Sequence, residues 1–464
     1  MDVRTRIAPS PTGEDLHIGN IYTGLINFAY AKKNKGKFII RIEDTDRARL
    51  IEDAESKILT SLKKFGLNYD EGPDIGGPFA PYKQSERKEI YQKYAAELVQ
   101  KGAAYFCSCS KEKLPASRSE KGLKRHASIC KAEKSESFVI RLKVPENRDI
   151  SFEDLIRGKI TINTNQIDDQ IIIKSDGFPT YHLAVVVDDT LMKISHVIRA
   201  EEWISSTPKH VLLYEALGWS LPIFAHVPLL RNTDKSKLSK RGNSVWASWY
   251  LEQGFLPEAI LNFLALMGWS HPEGKEIFSI EEFIEKFELE DMNVVGPVFD
   301  LTKLEWMNGE YIRGMSDEDL TKALQDFLVD HPAKDKIVSV VPLVKERIKK
   351  LSDFIPLTDF LWEKPEYNKE QFQKLNIKNQ NAVLTKILET MEKMEKPWKT
   401  DEFEQTFRKL GDNLGLSATQ TFQLIRVAVS SQTVTPPLFE SIKILGEEET
   451  INRVKEVLNT QAIV

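Results

Sequence analysis

A chain of 464 residues exceeds what one hydrophobic core can serve, so we expect several domains. An apolar fraction of 41% and a charged fraction of 29% are typical of a soluble globular protein, and no apolar run approaches the roughly 18 to 20 residues of a membrane-spanning helix. The formal net charge of −5 argues against a surface that is basic throughout, but nucleic-acid binding needs no more than a local basic patch.

The amino terminus, MDVRTRIAPS, leads directly into a strand-like segment and has the features of neither a signal peptide nor a transit peptide. We therefore expect a cytoplasmic location. The three cysteines Cys107, Cys109 and Cys130 are an odd number in one short region, which does not suit a disulfide framework. Metal binding and simple burial both remain open for them.

The first predicted elements form a strand–helix–strand unit. The pattern predicts a buried strand over Val3 to Ala8, an amphipathic helix over His17 to Lys35 closed by Gly36, and a second strand over Lys37 to Asp44. A right-handed crossover places the loop and the helix amino terminus at the carboxyl edge of a parallel sheet, where ligands bind.

The middle of the chain has a different pattern. After a predicted helix over Glu86 to Lys101, the short β-like runs SFVIRLKV, GKITINT and QIIIKSD indicate a domain inserted at about residues 86–185. The segment HLAVVVDDTLMKISHVIRAEEW then resumes the alternation of strand and helix. The first domain is therefore predicted to be interrupted and completed later.

Beyond about Arg313 the strand signals disappear, and the last third of the chain is predicted to be all-helical. Amphipathic helices are expected over Val341 to Leu361, Asn381 to Met394 and Ser417 to Ser430. Ser417 and the glutamine three residues on, Gln420, fit a capping box.

The stretch PSPTGEDLHIGN, residues Pro9 to Asn20, places a histidine at the mouth of the first helix. A helix amino terminus attracts phosphate, His17 would add a hydrogen-bond donor, and Gly19 would let a flat base approach the backbone. Alone, this pattern is a weak indication of phosphate binding, because a histidine near a helix start is more often a helix cap or a packed core residue.

A second basic loop, KSKLSKRGN, begins at Lys235 and follows the strand-like run AHVPLLRN. Lys237 and Lys240 come 220 and 223 positions after His17 (237 − 17 and 240 − 17), and such lysines could close over a triphosphate. Taken together, PSPTGEDLHIGN and KLSKR resemble the HIGH and KMSKS signatures of class I aminoacyl-tRNA synthetases, with Asn20 at the fourth HIGH position.

Further segments indicate which family within class I the chain resembles. RIAPSPTG, RIEDTDR, DGFPTYHLA, VIRAEEW, PLLRN and LEWMNGEYI resemble, in order, the bacterial glutamyl-tRNA synthetases. The resemblance implies a multidomain α/β plus all-α fold with a Rossmann-type catalytic domain, an inserted acceptor-binding α+β domain, a stem-contact domain and a helical anticodon-binding region. The expected ranges are 1–85 with 186–240, then 86–185, 241–313 and 314–464, with a break in the last near 370.

The resemblance also implies which residues bind the substrates. The glutamate pocket would consist of Arg6, Ala8, Ser10, Glu43, Tyr181 and Arg199. Glutamate has two carboxylates and one ammonium, so arginines would engage the side-chain carboxylate and Glu43 would hold the ammonium. The residues implied to bind ATP are His17, Gly19, Glu202, Trp203, Leu229, Leu230, Lys237 and Lys240.

The implied reaction is activation of glutamate by ATP, with Mg²⁺ on the phosphates, followed by transfer to the terminal 2′-hydroxyl of tRNA. The catalytic group would be His17, Lys237 and Lys240, which would stabilise charge in the transition state rather than accept protons. The partner would be tRNA(Glu), with charging of tRNA(Gln) left open by the sequence. A monomer and no membrane association are implied.

Cys107-Ser-Cys109, followed by His126 and Cys130, provides ligands of the kind that tetrahedral Zn²⁺ accepts. Four protein ligands would make the site structural, whereas the alternative is three thiols and a surface histidine. Between Lys111 and Lys134, eight basic residues stand against three acidic ones, a local balance of 8 − 3 = +5. If the cysteines bind zinc, we expect this basic segment to face the acceptor end of tRNA. The alternative is that the segment is a solvent-exposed surface with no partner.

Three other functions fit the sequence less well. A catalytically inactive paralogue that binds tRNA would have no reason to keep His17, Lys237, Lys240, Arg6 and Arg199 together. A glutamyl-queuosine tRNA(Asp) synthetase would lack the helical tail, and a glutaminyl-tRNA synthetase would end in a β-barrel. The helical ending disfavours both of these.

Overall fold

The structure is a computed structural model that describes residues 2–109, 118–119, 122–123, 130, 137–238, 245–331 and 334–460. It comprises two compact units, one of residues 1–252 and 257–304 and the other of residues 253–256 and 305–464. Two site residues predicted from the sequence, His126 and Lys240, lie outside the described residues, as does most of the basic segment between Lys111 and Lys134.

The first unit contains the strands. They are β1 (Arg4–Ile7), β2 (Lys37–Ile40), β3 (Ala104–Cys107), β4 (Arg118–Ser119), β5 (Gly122–Leu123), β6 (Val139–Leu142), β7 (Asp149–Asp154), β8 (Gly158–Asn163), β9 (Ile171–Ile173), β10 (His196–Ala200) and β11 (Ile223–Val227). Its helices are α1 (Ile18–Lys33), α2 (Ala54–Lys64), α3 (Lys88–Gln100), α4 (Tyr181–Leu191), α5 (Thr207–Leu217), α6 (Ala247–Glu252), α7 (Pro257–Ala265) and α8 (Ile280–Lys286).

The remaining helices begin with α9 (Leu301–Gly314), which starts in the first unit and ends in the second. The others are α10 (Asp317–Phe327), α11 (Val341–Val344), α12 (Phe354–Thr358), α13 (Lys369–Gln373), α14 (Gln380–Lys393), α15 (Thr400–Asn413), α16 (Ala418–Ser430), α17 (Leu438–Leu445) and α18 (Glu447–Asn459). Within the described ranges, no helix is both long enough and apolar enough to cross a bilayer.

The predicted strand–helix–strand unit is confirmed, because β1 and β2 pair in parallel with Arg6 opposite Ile39. The predicted end of α1 is wrong. The helix stops at Lys33 and Lys35 takes the left-handed conformation at φ 52°, whereas Gly36 does not. Gly36 is needed for space, since a Cβ there would lie 2.1 Å from the carbonyl oxygen of Val3.

The three β-like runs in the middle of the chain are confirmed as β6, β8 and β9. Strands β3, β6 and β9 form an antiparallel sheet, whereas the β7–β8 hairpin joins the sheet of β10 and β11. There β10 and β11 run parallel, and Phe224 of β11 pairs with Asp154 at the end of β7. This pairing brings the end of β7 next to the start of β11, two residues before His226.

The described residues of the second unit form helices joined by turns and loops, with no strand, as predicted, and bury a core that includes Leu384, Phe407 and Leu424. Its capping box at Ser417 and Gln420 is confirmed.

The predicted continuous helix over Val341 to Leu361 is wrong, because short helical turns replace it. The Asp353 carboxylate accepts hydrogen bonds from the N–H groups of Lys349 and Lys350. The N–H of Leu351 bonds to the carbonyl of Gly254. The N–H groups of these three residues are therefore unavailable for the backbone hydrogen bonds of a continuous helix.

Candidate active site

A cavity of about 720 Å³ opens where β1, β10 and β11 end. This position at the carboxyl edge of parallel strands is the one predicted from the sequence. The predicted site residues that line the cavity are Arg6, Ala8, Ser10, His17, Gly19, Glu43, Tyr181, Arg199, Glu202, Trp203, Leu229, Leu230 and Lys237. The structure therefore brings together every predicted substrate-binding residue that it describes.

One end of the cavity is supported by a buried network of balanced charge. Arg6 makes a two-point ion pair with Asp189, with both N–O distances at 3.1 Å. Arg41 bonds to the same Asp189 at 2.7 Å and to Glu43 at 3.3 Å. Although burial alone would raise it, the pKa of Asp189 is held below its ordinary value by the two arginines. The charge of Arg6 is thus already balanced, and its Nη1 keeps only a long 3.5 Å contact to a carbonyl oxygen.

Arg199 is held differently, although it is equally buried. Its Nε donates to His226 at 3.1 Å, its Nη1 to the Tyr181 hydroxyl and to His210 at 3.2 Å each, and its Nη2 to Thr207 at 2.8 Å. Among the described residues no carboxylate lies within ion-pairing distance of this guanidinium. Arg199 therefore presents an unbalanced positive charge to the cavity.

The hydroxyl of Tyr181 accepts from Arg199, so its own proton is available to a ligand. Its ring lies 4.2 Å from that of Trp203, centroid to centroid, which fixes the hydroxyl beside the guanidinium. Burial raises the pKa of Tyr181, so the hydroxyl keeps its proton. Tyr181 and Arg199 together can donate to a carboxylate.

Glu43 faces the same end of the cavity from the chain just beyond β2. Burial raises the pKa of Glu43 to about 7, against the lowering effect of Arg41 and Arg6. This carboxylate is therefore poised to gain or lose charge near neutral pH, and a bound ammonium would favour its ionised form.

The other end of the cavity begins at His17, the N-cap of α1, whose Nδ1 accepts from the N–H of Gly19 at 2.9 Å. That N–H is consequently not open to a phosphate, but the bond leaves Nε2 of His17 as the donor, as the sequence predicted. Burial and the neighbouring Lys237 lower the pKa of His17, so the ring is neutral at physiological pH. A Cβ at Gly19 would lie 3.0 Å from His17 Nδ1, so the absence of a side chain at Gly19 leaves room for the imidazole in this position.

Lys237 reaches this end from the predicted basic loop, and its Nζ lies 2.5 Å from a carboxylate oxygen of Glu202. Both side chains are exposed, at 57% and 42%. Nearby, the backbone N–H of Leu229 donates to Glu201, which also pairs with Arg157 at 2.7 Å. The segment after β11 that carries Leu229 and Leu230 is therefore anchored, whereas the side chain of Lys237 is held only by a surface ion pair.

The sulfur atoms of Cys107, Cys109 and Cys130 lie within 4.8 Å of one another, and those of Cys109 and Cys130 are 3.6 Å apart. Zn²⁺ bound at about 2.3 Å from each sulfur would require sulfur separations of about 3.8 Å, so the spacing fits. Burial and the two neighbouring thiols raise the pKa of Cys130 to about 12, so three thiolates would need a cation. The fourth predicted ligand, His126, lies outside the described residues.

Comparison with known proteins agrees with this geometry. Residues 2–306 match the model of the tRNA synthetases class I (E and Q), catalytic domain, and residues 319–458 match the model of an anticodon binding domain. Glutamate–tRNA ligases from Acidothermus cellulolyticus and Thermus thermophilus are each 44% identical to the chain. The alignments cover 98% of this chain and 95% and 100% of those proteins. The chain belongs to the glutamate–tRNA ligase family.

A solved member of this family supports the assignment of the fold. The crystal structure of a glutamate tRNA ligase from Elizabethkingia meningosepticum, in complex with its amino acid, superposes with a TM-score of 0.85 at 33% identity. The match covers 99% of this chain and 100% of that one. The chain thus has the class I tRNA synthetase fold, with a catalytic domain and a helical anticodon domain.

Some residues that hold the site of this glutamate–tRNA ligase family member in place were not predicted from the sequence. Asp189 balances Arg6, and Asp154 bonds to His226, which in turn holds Arg199. A signal for Asp189 is present, since the acidic pair in VVVDDT follows an apolar run and a buried carboxylate needs a cation. For Asp154 and His226 the sequence offers no such signal.

Proposed function

We propose that this protein activates L-glutamate with ATP and transfers it to tRNA(Glu). The observation that carries the proposal is the unbalanced guanidinium of Arg199 in the same cavity as His17 and Lys237. A buried cation without a carboxylate partner calls for an anionic ligand, because an unpaired buried charge is costly. Family membership supports the same activity.

The side-chain carboxylate of glutamate would bind Arg199, with further hydrogen bonds from the Tyr181 hydroxyl and from Nη1 of Arg6. Glu43 would bind the α-ammonium, with Ala8 and Ser10 lining the pocket between them. Glutamine would leave Arg199 without a counter-charge, at a cost on the order of 2 to 5 kcal/mol in a desolvated site. This arrangement selects glutamate.

The α-carboxylate of glutamate would then attack the α-phosphorus of ATP, forming glutamyl-adenylate and releasing pyrophosphate. His17, Lys237 and Lys240 would stabilise the charge that develops on the phosphates, and none of them needs to accept a proton. Glu202, Trp203, Leu229 and Leu230 would contact the nucleotide, with Gly19 beneath its base. Mg²⁺ would neutralise phosphate charge when bound.

In the second step the 2′-hydroxyl of the terminal adenosine attacks the carbonyl carbon of the adenylate, and AMP leaves. The cavity lining also includes Thr45, Asp46, Arg49 and Lys174. Its two basic side chains are held in surface ion pairs, Arg49 with Asp46 and Lys174 with Asp176, which a phosphate could replace. We place the tRNA terminus against this part of the lining, since a phosphodiester backbone favours basic contacts.

We propose the division of the chain that the resemblance implied: catalytic residues 1–85 and 186–240, an acceptor-binding insert at 86–185, stem contacts at 241–313 and an anticodon-binding region at 314–464. The match of an anticodon binding domain to residues 319–458 supports the last of these. The reading of the last anticodon base, and hence any charging of tRNA(Gln), would reside in that region.

We propose that the cysteine cluster, with His126, holds a structural Zn²⁺. Metal analysis of purified protein after removal of loosely bound ions tests this directly. About one zinc per chain, lost in a Cys109→Ser variant, is expected. Protein that folds and charges tRNA with no bound metal would refute the site.

The central test is tRNA charging with labelled glutamate on tRNA(Glu) and tRNA(Gln) transcripts. We expect charging of tRNA(Glu), and its near loss in His17→Ala; the matched control His331→Ala changes a histidine outside the cavity. Charging of neither tRNA would indicate an inactive tRNA-binding paralogue. Monomeric state and cytoplasmic location remain predictions.

A further inference from the structure

Arg199 must stay fixed in the cavity wall while keeping its charge for a ligand. A carboxylate partner would fix it but would also cancel the charge, as Asp189 does for Arg6. The contacts of Arg199 are instead the hydroxyls of Tyr181 and Thr207 and the imidazoles of His226 and His210. These groups can hold a guanidinium without a counter-charge only if both imidazoles are neutral acceptors.

The position of the proton on His226 follows from its neighbours. A guanidinium has donors and no acceptor, so Nε2 of His226 must receive the bond from Nε of Arg199 and carries no proton. The proton therefore sits on Nδ1, which faces a carboxylate oxygen of Asp154 at 2.6 Å. Burial lowers the pKa of His226 to about 4, which keeps the ring neutral at physiological pH.

Asp154 is itself rigidly held. One of its oxygens accepts from the backbone N–H groups of Ile156 and Arg157 at 3.1 and 3.0 Å, so the other is directed at His226. Both Asp154 and His226 are fully buried, and their backbones meet through the pairing of β7 with β11. The chain Asp154–His226–Arg199 is thus a fixed series of donors and acceptors.

His210 follows the same pattern on the other side of Arg199. Its Nδ1 accepts from Arg199, so its proton lies on Nε2, which is 3.1 Å from Nδ1 of His182. Burial lowers the pKa of His210 well below its ordinary value. Two neutral rings of opposite tautomer therefore hold one guanidinium.

We propose that Asp154 and His226 are positioning residues for the amino-acid substrate. Asp154 fixes the proton on Nδ1 of His226, and the lone pair on Nε2 then orients the guanidinium of Arg199 without neutralising it. The inference rests on the proposed role of Arg199 as the receptor for the substrate side-chain carboxylate. Asp154 ends β7, so the position of Arg199 depends on a residue 45 positions earlier in the chain (199 − 154).

The sharpest test is Asp154→Asn, which keeps the shape of the side chain and an oxygen for the two backbone donors. The new amide would donate to Nδ1 of His226 and so move the ring proton to Nε2. On Nε2 the proton would point at the Nε–H of Arg199, so two hydrogen-bond donors would face each other and the bond would be lost. We expect the KM for glutamate to rise about 10- to 100-fold, with the KM for ATP and the unfolding temperature nearly unchanged.

The matched control is Asp149→Asn, the same substitution at the exposed end of the same strand, which should leave the KM for glutamate unchanged. His226 itself allows a paired comparison. In His226→Gln the amide oxygen can still accept from Arg199, whereas His226→Asn can donate to Asp154 but is too short to reach Arg199. The KM for glutamate should therefore be lower in His226→Gln than in His226→Asn.

A KM for glutamate within about twofold of the native value in Asp154→Asn would overturn the positioning role, provided that Arg199→Leu raises it strongly. If Arg199→Leu has no effect either, the proposed function of Arg199 fails instead. Should the variants not fold, neutron diffraction on the deuterated native protein decides the matter. A deuteron on Nδ1 of His226 supports the inference, and one on Nε2 overturns it.

Discussion

The two ends of the cavity are built on different physical principles. At the end proposed to bind glutamate, Arg6, Arg41 and Arg199 are buried, Glu43 is partly buried, and each has fixed partners. At the end proposed to bind the nucleotide, the Lys237 side chain is 57% exposed and that of its partner Glu202 is 42% exposed. A buried network holds its geometry before substrate binds, whereas a surface ion pair contributes about 0 to 1 kcal/mol and is readily exchanged.

The difference corresponds to what each end must do. Discrimination between glutamate and glutamine depends on a single charge, which is decisive only in a rigid, desolvated pocket. A triphosphate enters and its pyrophosphate leaves in every cycle, so a lysine that can exchange Glu202 for phosphate suits the other end. Substitutions at the two ends should therefore differ in size and in salt dependence.

The largest effect is expected from Arg199→Leu, which removes the unbalanced cation. Loss of one partner of a buried charge pair costs about 2 to 5 kcal/mol, so kcat/KM for glutamate should fall about 30-fold or more, with the KM for ATP little affected. Pyrophosphate exchange in the presence of tRNA measures both. Unaltered kcat/KM for glutamate would show that the carboxylate binds elsewhere.

Lys237→Ala should have the next largest effect, at the exposed end. Removal of one charge-stabilising donor from a transition state costs up to about 10² to 10³ in rate in a buried site, so about 10- to 100-fold in kcat is expected here. Lys235→Ala, on the same loop, is the control, since Lys235 does not line the cavity. Equal losses in the two variants would point to general loop disruption.

The pKa of Glu43, about 7, predicts the pH dependence of glutamate binding. Protonation of Glu43 below pH 7 removes the counter-charge for the α-ammonium, so kcat/KM for glutamate should fall up to about tenfold per pH unit as the pH decreases. His226 and His182, with pKa values lowered to about 4 by burial, do not titrate in this range. A Glu43→Gln variant should lose this dependence, and a native profile that is flat from about pH 6 to 8 would contradict it.

The smallest effect is expected from Glu202→Gln, which frees Lys237 from its surface partner. If the ion pair competes with phosphate, the KM for ATP should decrease by at most about fivefold, and the difference should shrink as salt is added. An increase in the KM for ATP would contradict this: Glu202 would then stabilise the bound nucleotide by more than its ion pair with Lys237 weakens nucleotide binding.

The sequence predicted the parts of the site that local patterns specify. The strand–helix–strand unit and its ligand-binding edge follow from the periodicity of residues 3–44, and the two signature loops locate His17 and Lys237. The contacts that tune the pocket were not predictable in this way. Asp189 meets Arg6 across 183 residues, and Asp154 meets His226 across 72, with no pattern linking the partners.

The error over Val341 to Leu361 has a similar cause. Apolar periodicity predicts one helix there, but the N–H of Leu351 bonds to a carbonyl 97 residues earlier (351 − 254). The Asp353 side chain captures two further backbone donors. Tertiary contacts thus override a local preference, which a single sequence does not reveal.

The most direct test is a crystal structure with a non-hydrolysable glutamyl-adenylate analogue. The two-ended cavity predicts the side-chain carboxylate on Arg199 and Tyr181, the ammonium on Glu43, and the adenosine between His17 and Leu229, with Lys237 released from Glu202. A side-chain carboxylate bound away from Arg199, with that guanidinium left to its neutral partners alone, would contradict the account.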